Sequence, residues 1–325
     1  MKTTNILLTG ATGFIGRHLT ECLLRRRQTK LSLAARNPYF TNNTCDVYYG
    51  DFSKQTDWSK ALYGQHVVIH AASSSQYISK ENADSLKLYR FTNVNGTLNF
   101  ASQAAKAGVS RFLFISSIKV FGDFTEKGQS FSPSDLPEPA DVYGLVKLEI
   151  EEGLRKIAQN TGMELVIIRP PLVYGRGVKG NFEILLKMVK SGIPLPLKYV
   201  ENKRSFVSIK NLVDMIAISS AHPNAANQTL LVSDGCDLST PELLTKVADA
   251  INRPLRMFPC PLSLIDFGTK VIGKHNISKS LLYSLRVDIS DTREKLGWEP
   301  SVDVDQAMKK CFYDRPFEDP FRHYE

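Results

Sequence analysis

Over the first half of the chain, short apolar runs alternate with longer stretches in which apolar positions recur at helical spacing. Ile6-Leu7-Leu8 is the first run, and residues 31–35, 47–49, 67–70, 111–116 and 164–168 are the next five. Apolar residues on consecutive positions suit strands covered on both faces. The intervening stretches at 82–107 and 143–159 have the length of helices. Repeated strand–helix alternation predicts an α/β fold, a doubly wound parallel sheet with helices on both faces. Ligands of such sheets sit at the carboxyl ends of the strands, so the residues just after each run are the candidates for chemistry. After Pro170 the pattern breaks into Pro170-Pro171, Gly175, Gly177 and Gly180, a helix near 182–190, and the proline-rich Ile193-Pro194-Leu195-Pro196. Residues 1–170 are therefore expected to form a dinucleotide-binding domain. Residues 171–325 are expected to form a smaller substrate-binding domain, with some segments returning to the first.

The first run leads into Thr9-Gly10-Ala11-Thr12-Gly13-Phe14-Ile15-Gly16. Glycines three apart at a strand–helix turn permit backbone angles that a side chain forbids. They also let the backbone approach a pyrophosphate, which the free N–H groups and dipole of the new helix attract. This predicts a Rossmann-type nicotinamide cofactor site at Gly10, Thr12, Gly13, Phe14, Ile15 and Gly16.

The second strand ends at Ala35-Arg36-Asn37 with no acidic residue. An acid there would bind the ribose 2′-hydroxyl of NAD, whereas an arginine suits the 2′-phosphate of NADP. Arg36 thus favours NADP(H). NAD(H) stays open, because an arginine stacked on adenine discriminates neither. Asp51 and Phe52 follow the third strand, and an Asp there can accept from the adenine amino group. His70, Ala71 and Ala72 follow the fourth, where small residues let the backbone lie against the cofactor. His70 itself reads as a structural strand-end histidine.

Tyr143 and Lys147 are four apart and share one helical face. An ammonium beside a phenol favours the phenolate and is expected to lower its pKa from about 10. The product would be a general acid/base. Ser117 closes the fifth strand and brings a hydroxyl to the same sheet edge.

In this order these motifs resemble the extended short-chain dehydrogenase/reductases, and within them the NAD-dependent epimerase/dehydratase family, over nearly the whole chain. The resemblance implies catalytic roles for Ser117, Tyr143 and Lys147, the last two also touching the cofactor. It implies that Asn93 props the active-site helix. Arg169-Pro170-Pro171-Leu172-Val173-Tyr174-Gly175 is similar to the family's R-P-x-x-V-Y-G. Asn181 matches a substrate contact, and Arg204, in Lys203-Arg204-Ser205-Phe206-Val207, matches the arginine on the substrate diphosphate. The competing reading of Arg204 is a surface ion pair with Glu201 or Asp214. Leu296 and Trp298, in a closing L-G-W-x-P segment, are expected to pack the substrate domain.

The family's dehydratases carry an Asp-Glu pair where this chain has Ile118 and Lys119. An aliphatic and a cation cannot remove water in that way. Ser116-Ser117-Ile118-Lys119-Val120 also resembles a subgroup of reductases, which implies C4 keto reduction of a UDP-4-keto-6-deoxy-N-acetylhexosamine, of the UDP-N-acetylquinovosamine type, in polysaccharide synthesis. The alternatives are a UDP-glucose or UDP-N-acetylglucosamine 4-epimerase and, in another class, a non-catalytic NADPH-binding regulator. A homodimer through residues 82–107 and 143–159 is also implied.

Composition narrows the partners. The chain has 325 residues, 42% of them hydrophobic and 23% charged, the proportions of a soluble globular protein. Its net charge of +8 comes without a basic tract interleaved with aromatics. That fits an anionic small substrate and not nucleic acid. Arg25-Arg26-Arg27 reads as a solvated helix end. The five cysteines lack metal-ligand or paired spacing, which points to no metal site and to a reducing cytoplasmic location. A strand starting at Asn5 leaves no room for a signal peptide, and no apolar run is long enough to span a membrane.

Overall fold

Strand β1 (Thr4–Thr9) lies in mid-sheet, and its side chains alternate between two cores. Ile6 and Leu8 join one cluster and Leu7 the other, as the two-residue period of a strand requires. The computed structural model describes residues 3–38, 40–53, 55–73, 83–178, 180–271 and 275–313. In chain order β1 is followed by α1 (Phe14–Leu24), β2 (Thr29–Ala35), β3 (Asp46–Tyr49), α2 (Ser59–Leu62), β4 (Val67–His70), α3 (Ala83–Lys106) and β5 (Arg111–Ile115). Next come α4 (Val142–Thr161), β6 (Glu164–Arg169), β7 (Leu172–Tyr174), α5 (Asn181–Lys190), β8 (Phe206–Ser208), α6 (Ile209–Ser219) and β9 (Thr229–Leu231). Helices α7 (Thr240–Ala250), α8 (Leu262–Val271), α9 (His275–Leu282), α10 (Ser290–Leu296) and α11 (Val304–Tyr313) complete it.

Seven strands form one parallel sheet in the order β3-β2-β1-β4-β5-β6-β9, and β7 pairs with β8 in a second, parallel pair. The order reverses at β1, where β2 lies on one side and β4 on the other. That is the switch point at which such sheets bind ligands. Helices α1 and α6 pack on one face and α3 and α4 on the other. The last two approach closely because Gly153 faces Leu98, whose methyls would lie 2.6 Å from an added Cβ. A third apolar cluster, built on α5, α7 and α11, holds the C-terminal half together.

The chain returns to the first sheet more than once after β6. Strand β9 pairs with β6, and α6 covers α1. Leu296 and Trp298 do not pack the substrate half as expected. Both are buried in the cluster that covers β1 and α1, because α10 rests on β9. The tail from Asp314 onward lies outside the described residues.

Candidate active site

Helix α1 starts at Phe14 with Gly13 as N-cap and no side-chain cap, and no acidic residue lies in its first turn. The N–H groups of Phe14, Ile15 and Gly16 have no helical acceptor and no competing carboxylate. Gly10 has φ +74°, and an added Cβ would stand 2.7 Å from the backbone of Ala71 and Ala72. At Gly16 it would stand 2.0 Å from the Gly10 carbonyl. This is a cradle that side chains would fill, and it fits the pyrophosphate of a dinucleotide. The adjoining cavity, about 300 Å³, is lined by Gly10, Thr12, Gly13, Arg36, Asp51, Phe52, His70, Ala71, Ala72 and Asn93. Of the expected cofactor residues, Phe14, Ile15, Gly16, Tyr143 and Lys147 do not line this cavity.

The floor of the cavity is aromatic. Phe52 stacks on Trp58 at 4.9 Å and meets His70 edge-on at 5.3 Å. His70 sits between two threonines, with Nδ1 2.9 Å from Thr9 Oγ1 and Nε2 3.0 Å from Thr97 Oγ1. Burial holds its imidazole neutral, with the pKa pulled down to about 3 and the Lys147 ammonium acting in the same direction. A ring fixed in this way is part of the scaffold. Asp51 accepts from Thr56, and that bond, with those from Ser53, holds its carboxyl below the usual range. Arg36 is exposed at the end of β2. Asn93 donates to the Tyr89 carbonyl in its own helix at 2.8 Å and accepts from Ser73 at 3.3 Å. It thereby ties the loop after β4 to α3. Gly96 lies one turn after Asn93 on the same helix. An added Cβ there would lie 1.7 Å from the Phe52 carbonyl, so only glycine lets α3 meet this loop.

Ser117 follows β5 and caps a single 3₁₀ turn, accepting from the Lys119 N–H at 3.2 Å. Tyr143 stands in the first turn of α4, which Asp141 caps through the Gly144 N–H at 2.8 Å. Gly144 lies so near that turn that a Cβ would be 2.4 Å from the Lys119 carbonyl. The approach sets Ser117 and Tyr143 on the wall of one cavity. Lys147 is buried, donates to the Ile115 carbonyl at 2.9 Å, and lies 4.7 Å from the Phe114 ring centre and 5.8 Å from that of Tyr143.

The electrostatics correct one expectation. The Tyr143 phenol is pushed up, not down: burial dominates, the Ser117 hydroxyl opposes it, and the Asp141 carboxylate adds to the rise. Lys147 does not offset this, because its ammonium is held by a backbone carbonyl under the ring. Burial also lowers Lys147 to about 8, with the Glu151 carboxylate one turn on acting against it.

Glu151 is a component that the sequence reading passed over. It is 1% exposed and faces Arg169, which is 4% exposed, at 2.5 and 3.0 Å through Nη2 and Nε. It also accepts from Ser116 at 2.5 Å. The Arg169 guanidinium lies 4.3 Å from the Phe121 ring centre. A glutamate eight residues after a tyrosine, on the same helical face, with an arginine closing the next strand, was the available signal. Tyr174 of the same motif is structural: its hydroxyl donates to the buried Asp234 at 2.7 Å.

Ser117 and Tyr143 open onto a second cavity of about 270 Å³. Its walls are apolar, from Leu172, Ile184, Leu185, Met188, Phe206, Leu243 and Leu281, and its cations are Lys119 and Arg204. Lys119 bonds Asp123 and lies 3.4 Å from Asp141. Arg204 pairs with neither Glu201 nor Asp214; its Nη1 donates to the Tyr283 carbonyl at 2.8 Å, and Asp214 is held by Lys210. Burial lowers the Arg204 pKa to about 10, Asp123 opposing, so it remains a cation at neutrality. Asn181 opens α5, but its side chain lies outside the described residues. Among the described residues no cluster could hold a metal ion, and no helix is long and apolar enough to cross a membrane.

Comparison with known proteins places these features in a lineage. The model of the NAD dependent epimerase/dehydratase family matches residues 6–232. A UDP-glucose 4-epimerase of Vibrio cholerae is 43% identical over 307 residues, covering 94% of each chain. The N-acetyl-alpha-D-glucosaminyl-diphospho-ditrans,octacis-undecaprenol 4-epimerase of Escherichia coli O157:H7 is 28% identical over 83% of this chain and 81% of its own. Among solved structures, a UDP-glucuronic acid 4-epimerase from Bacillus cereus, in complex with UDP-glucuronic acid and NAD, superposes with a TM-score of 0.76 at 21% identity. It covers 94% of this chain and 97% of that one. Glycine cradle, parallel sheet and sequence similarity agree, and this chain belongs to the NAD-dependent epimerase/dehydratase family.

Proposed function

We propose that the protein interconverts C4 epimers of a sugar carried on a diphosphate, with a UDP-hexose as the leading substrate class. The observation that carries the reading is that Ser117 and Tyr143 line the same cavity as the Arg204 guanidinium. The 43% identity to a UDP-glucose 4-epimerase supports epimerisation over the net keto reduction expected from the sequence. The intact Ser/Tyr/Lys set gives no support to a non-catalytic regulator.

The residues of the glycine cradle would hold the pyrophosphate, and Lys147 and Tyr143 would face the nicotinamide ribose. When bound, that cofactor supplies reversible hydride acceptance from C4. Tyr143 takes the proton from the C4 hydroxyl as the carbon is oxidised and returns it to O4 afterwards, oriented by Ser117. Arg204 holds the diphosphate while the keto sugar presents its other face. Ile118 and Lys119 leave no acid/base pair for loss of water.

The test is redox balance. Purified protein given UDP-glucose or UDP-N-acetylglucosamine, without added reductant, should yield the C4 epimer by NMR with no lasting change in nicotinamide absorbance. Product that forms only in step with NADPH consumption would replace this reading with the reductase. Arg36, with no acid beside it, is the one observation that favours that second reading. It predicts that Arg36→Ala weakens NADPH binding far more than NADH binding. Equal losses in titration would remove the argument for NADP.

Arg204→Ala should raise the dissociation constant for UDP about ten- to hundredfold, since a charge-assisted hydrogen bond contributes about 1.5–3 kcal/mol. Calorimetry on both proteins checks it, and equal affinities would place the diphosphate elsewhere. Dinucleotide affinity should stay unchanged, because Arg204 lies outside the cradle.

A further inference from the structure

On the outer side of the substrate cavity two stretches lie side by side. Leu195 pairs in parallel with Met257. The Phe258 N–H donates to the Leu195 carbonyl at 3.0 Å and the Lys198 N–H to the Phe258 carbonyl at 3.3 Å. Leu195, Leu197 and Val200 turn inward and are buried, while Ile193, Pro194, Lys198 and Tyr199 turn out. Ile193 and Tyr199 are each 64% exposed and Leu264, in the first turn of α8, is 61% exposed. Phe258 and Leu262 are exposed between them. Large apolar side chains gathered in this way mark an interaction surface.

Charge identifies the partner. Residues 184–200 and 250–265 carry Lys187, Lys190, Lys198, Arg253 and Arg256, and the carboxylates nearest in sequence, Glu183, Glu201, Asp249 and Asp266, lie just outside them. Lys187 pairs with Glu183, whereas Lys198, Arg253 and Arg256 have no carboxylate partner among the described residues. Lys190 and Arg253 share a surface cavity with Ile251. Pro194, Pro254, Pro259 and Pro261 are all exposed here. Prolines have no N–H, so this backbone presents few donors that would be orphaned in a poorly hydrated layer. A second copy of the chain would set the same cations against one another across a two-fold axis. Exposed apolar side chains on stretches that also carry Lys198, Arg253 and Arg256 complement a layer whose surface is anionic and whose interior is apolar.

We infer that this face, Ile193–Tyr199 with Arg253–Leu264, docks on a bilayer surface carrying anionic phospholipid. No helix needs to span the layer; Tyr199, Phe258 and Leu264 enter the headgroup region while the cations stay at the phosphates. Helix α5, whose Ile184, Leu185 and Met188 line the substrate cavity, runs directly into Ile193, and α8 packs on α9, which contributes Leu281. Docking therefore sets the cavity wall against the membrane surface.

Sedimentation of the full chain with vesicles tests this. Vesicles of phosphatidylcholine with phosphatidylglycerol should bind it, pure phosphatidylcholine should not, and added salt should release it. The double variant Arg253→Ala/Arg256→Ala should bind the anionic vesicles about thirtyfold more weakly, at about 1 kcal/mol per cation. Ile193→Ser/Leu264→Ser should also weaken binding, whereas Arg25→Ala/Arg27→Ala, which removes the same charge from an exposed helix end, should not. Failure of the wild type to bind anionic vesicles would overturn the inference. So would equal losses from both arginine pairs, which would make the effect one of net charge. A change in oligomeric mass on Ile193→Ser/Leu264→Ser would assign the face to a second copy.

Discussion

Replacing Tyr143 by phenylalanine should lower turnover about 10²–10⁴-fold, the contribution typical of a positioned general acid/base. The ring would stay in place, since α4 is fixed by the Asp141 cap and by the approach of Gly144 to the Lys119 carbonyl. Only the hydroxyl is lost. Dinucleotide binding should therefore change little, and steady-state rates beside NADH titrations separate the two effects. Near-wild-type turnover in the variant would make Tyr143 a packing residue. Because Tyr143 first takes the C4 hydroxyl proton, it acts as the phenolate, and the rise of kcat/KM with pH that its ionisation governs should vanish in Tyr143→Phe. A rise that persists would belong to another group.

The largest expected stability effect lies below the site. Glu151→Gln should destabilise the fold by about 3–5 kcal/mol, because removing one partner of a buried pair leaves the other charge uncompensated. Arg169 is nearly sealed from solvent, and the Ser116 hydroxyl would lose its ionised acceptor. Arg155, 3.9 Å from Glu151 on the exposed side, is itself a cation and cannot take the carboxylate's place beside Arg169. The double variant Glu151→Leu/Arg169→Met should recover most of the loss, since an apolar replacement of a buried pair is often neutral. Chemical denaturation of both variants measures the difference. Equal destabilisation in the two would mean that packing, not charge, decides it. Glu151 also opposes the downward shift of Lys147, so Glu151→Gln should move that ammonium further below about 8. A lysine that titrates lower in the fold than in the unfolded chain makes stability rise with pH. The window over which it does so should widen at its lower end in the variant.

Local rules made a large part of this protein legible. A strand buried on both faces reads as consecutive apolar residues, so β1, β2, β4, β5 and β6 stood out in the sequence. A strand–turn–helix with glycines three apart has few physical solutions, and four-residue spacing on a helix places Tyr143 and Lys147 on one face whatever surrounds them. The family followed from these motifs and their order. What lies far apart in the chain was decided only by packing. The pairing of β9 with β6, and the burial of Leu296 and Trp298 against β1 and α1, depend on where a long excursion returns. Periodicity is silent on that. The apolar walls around Ser117 come from α5, α7 and α9, whose inward faces are indistinguishable in sequence from ordinary core. The phenol of Tyr143 rises because desolvation outweighs the opposing Ser117 hydroxyl, and Glu151 meets Arg169 only because the fold seals both into one interior. Residue types and spacing determine which groups can meet. Burial, which exists only in the folded chain, determines which of them are charged and which remain open to a ligand.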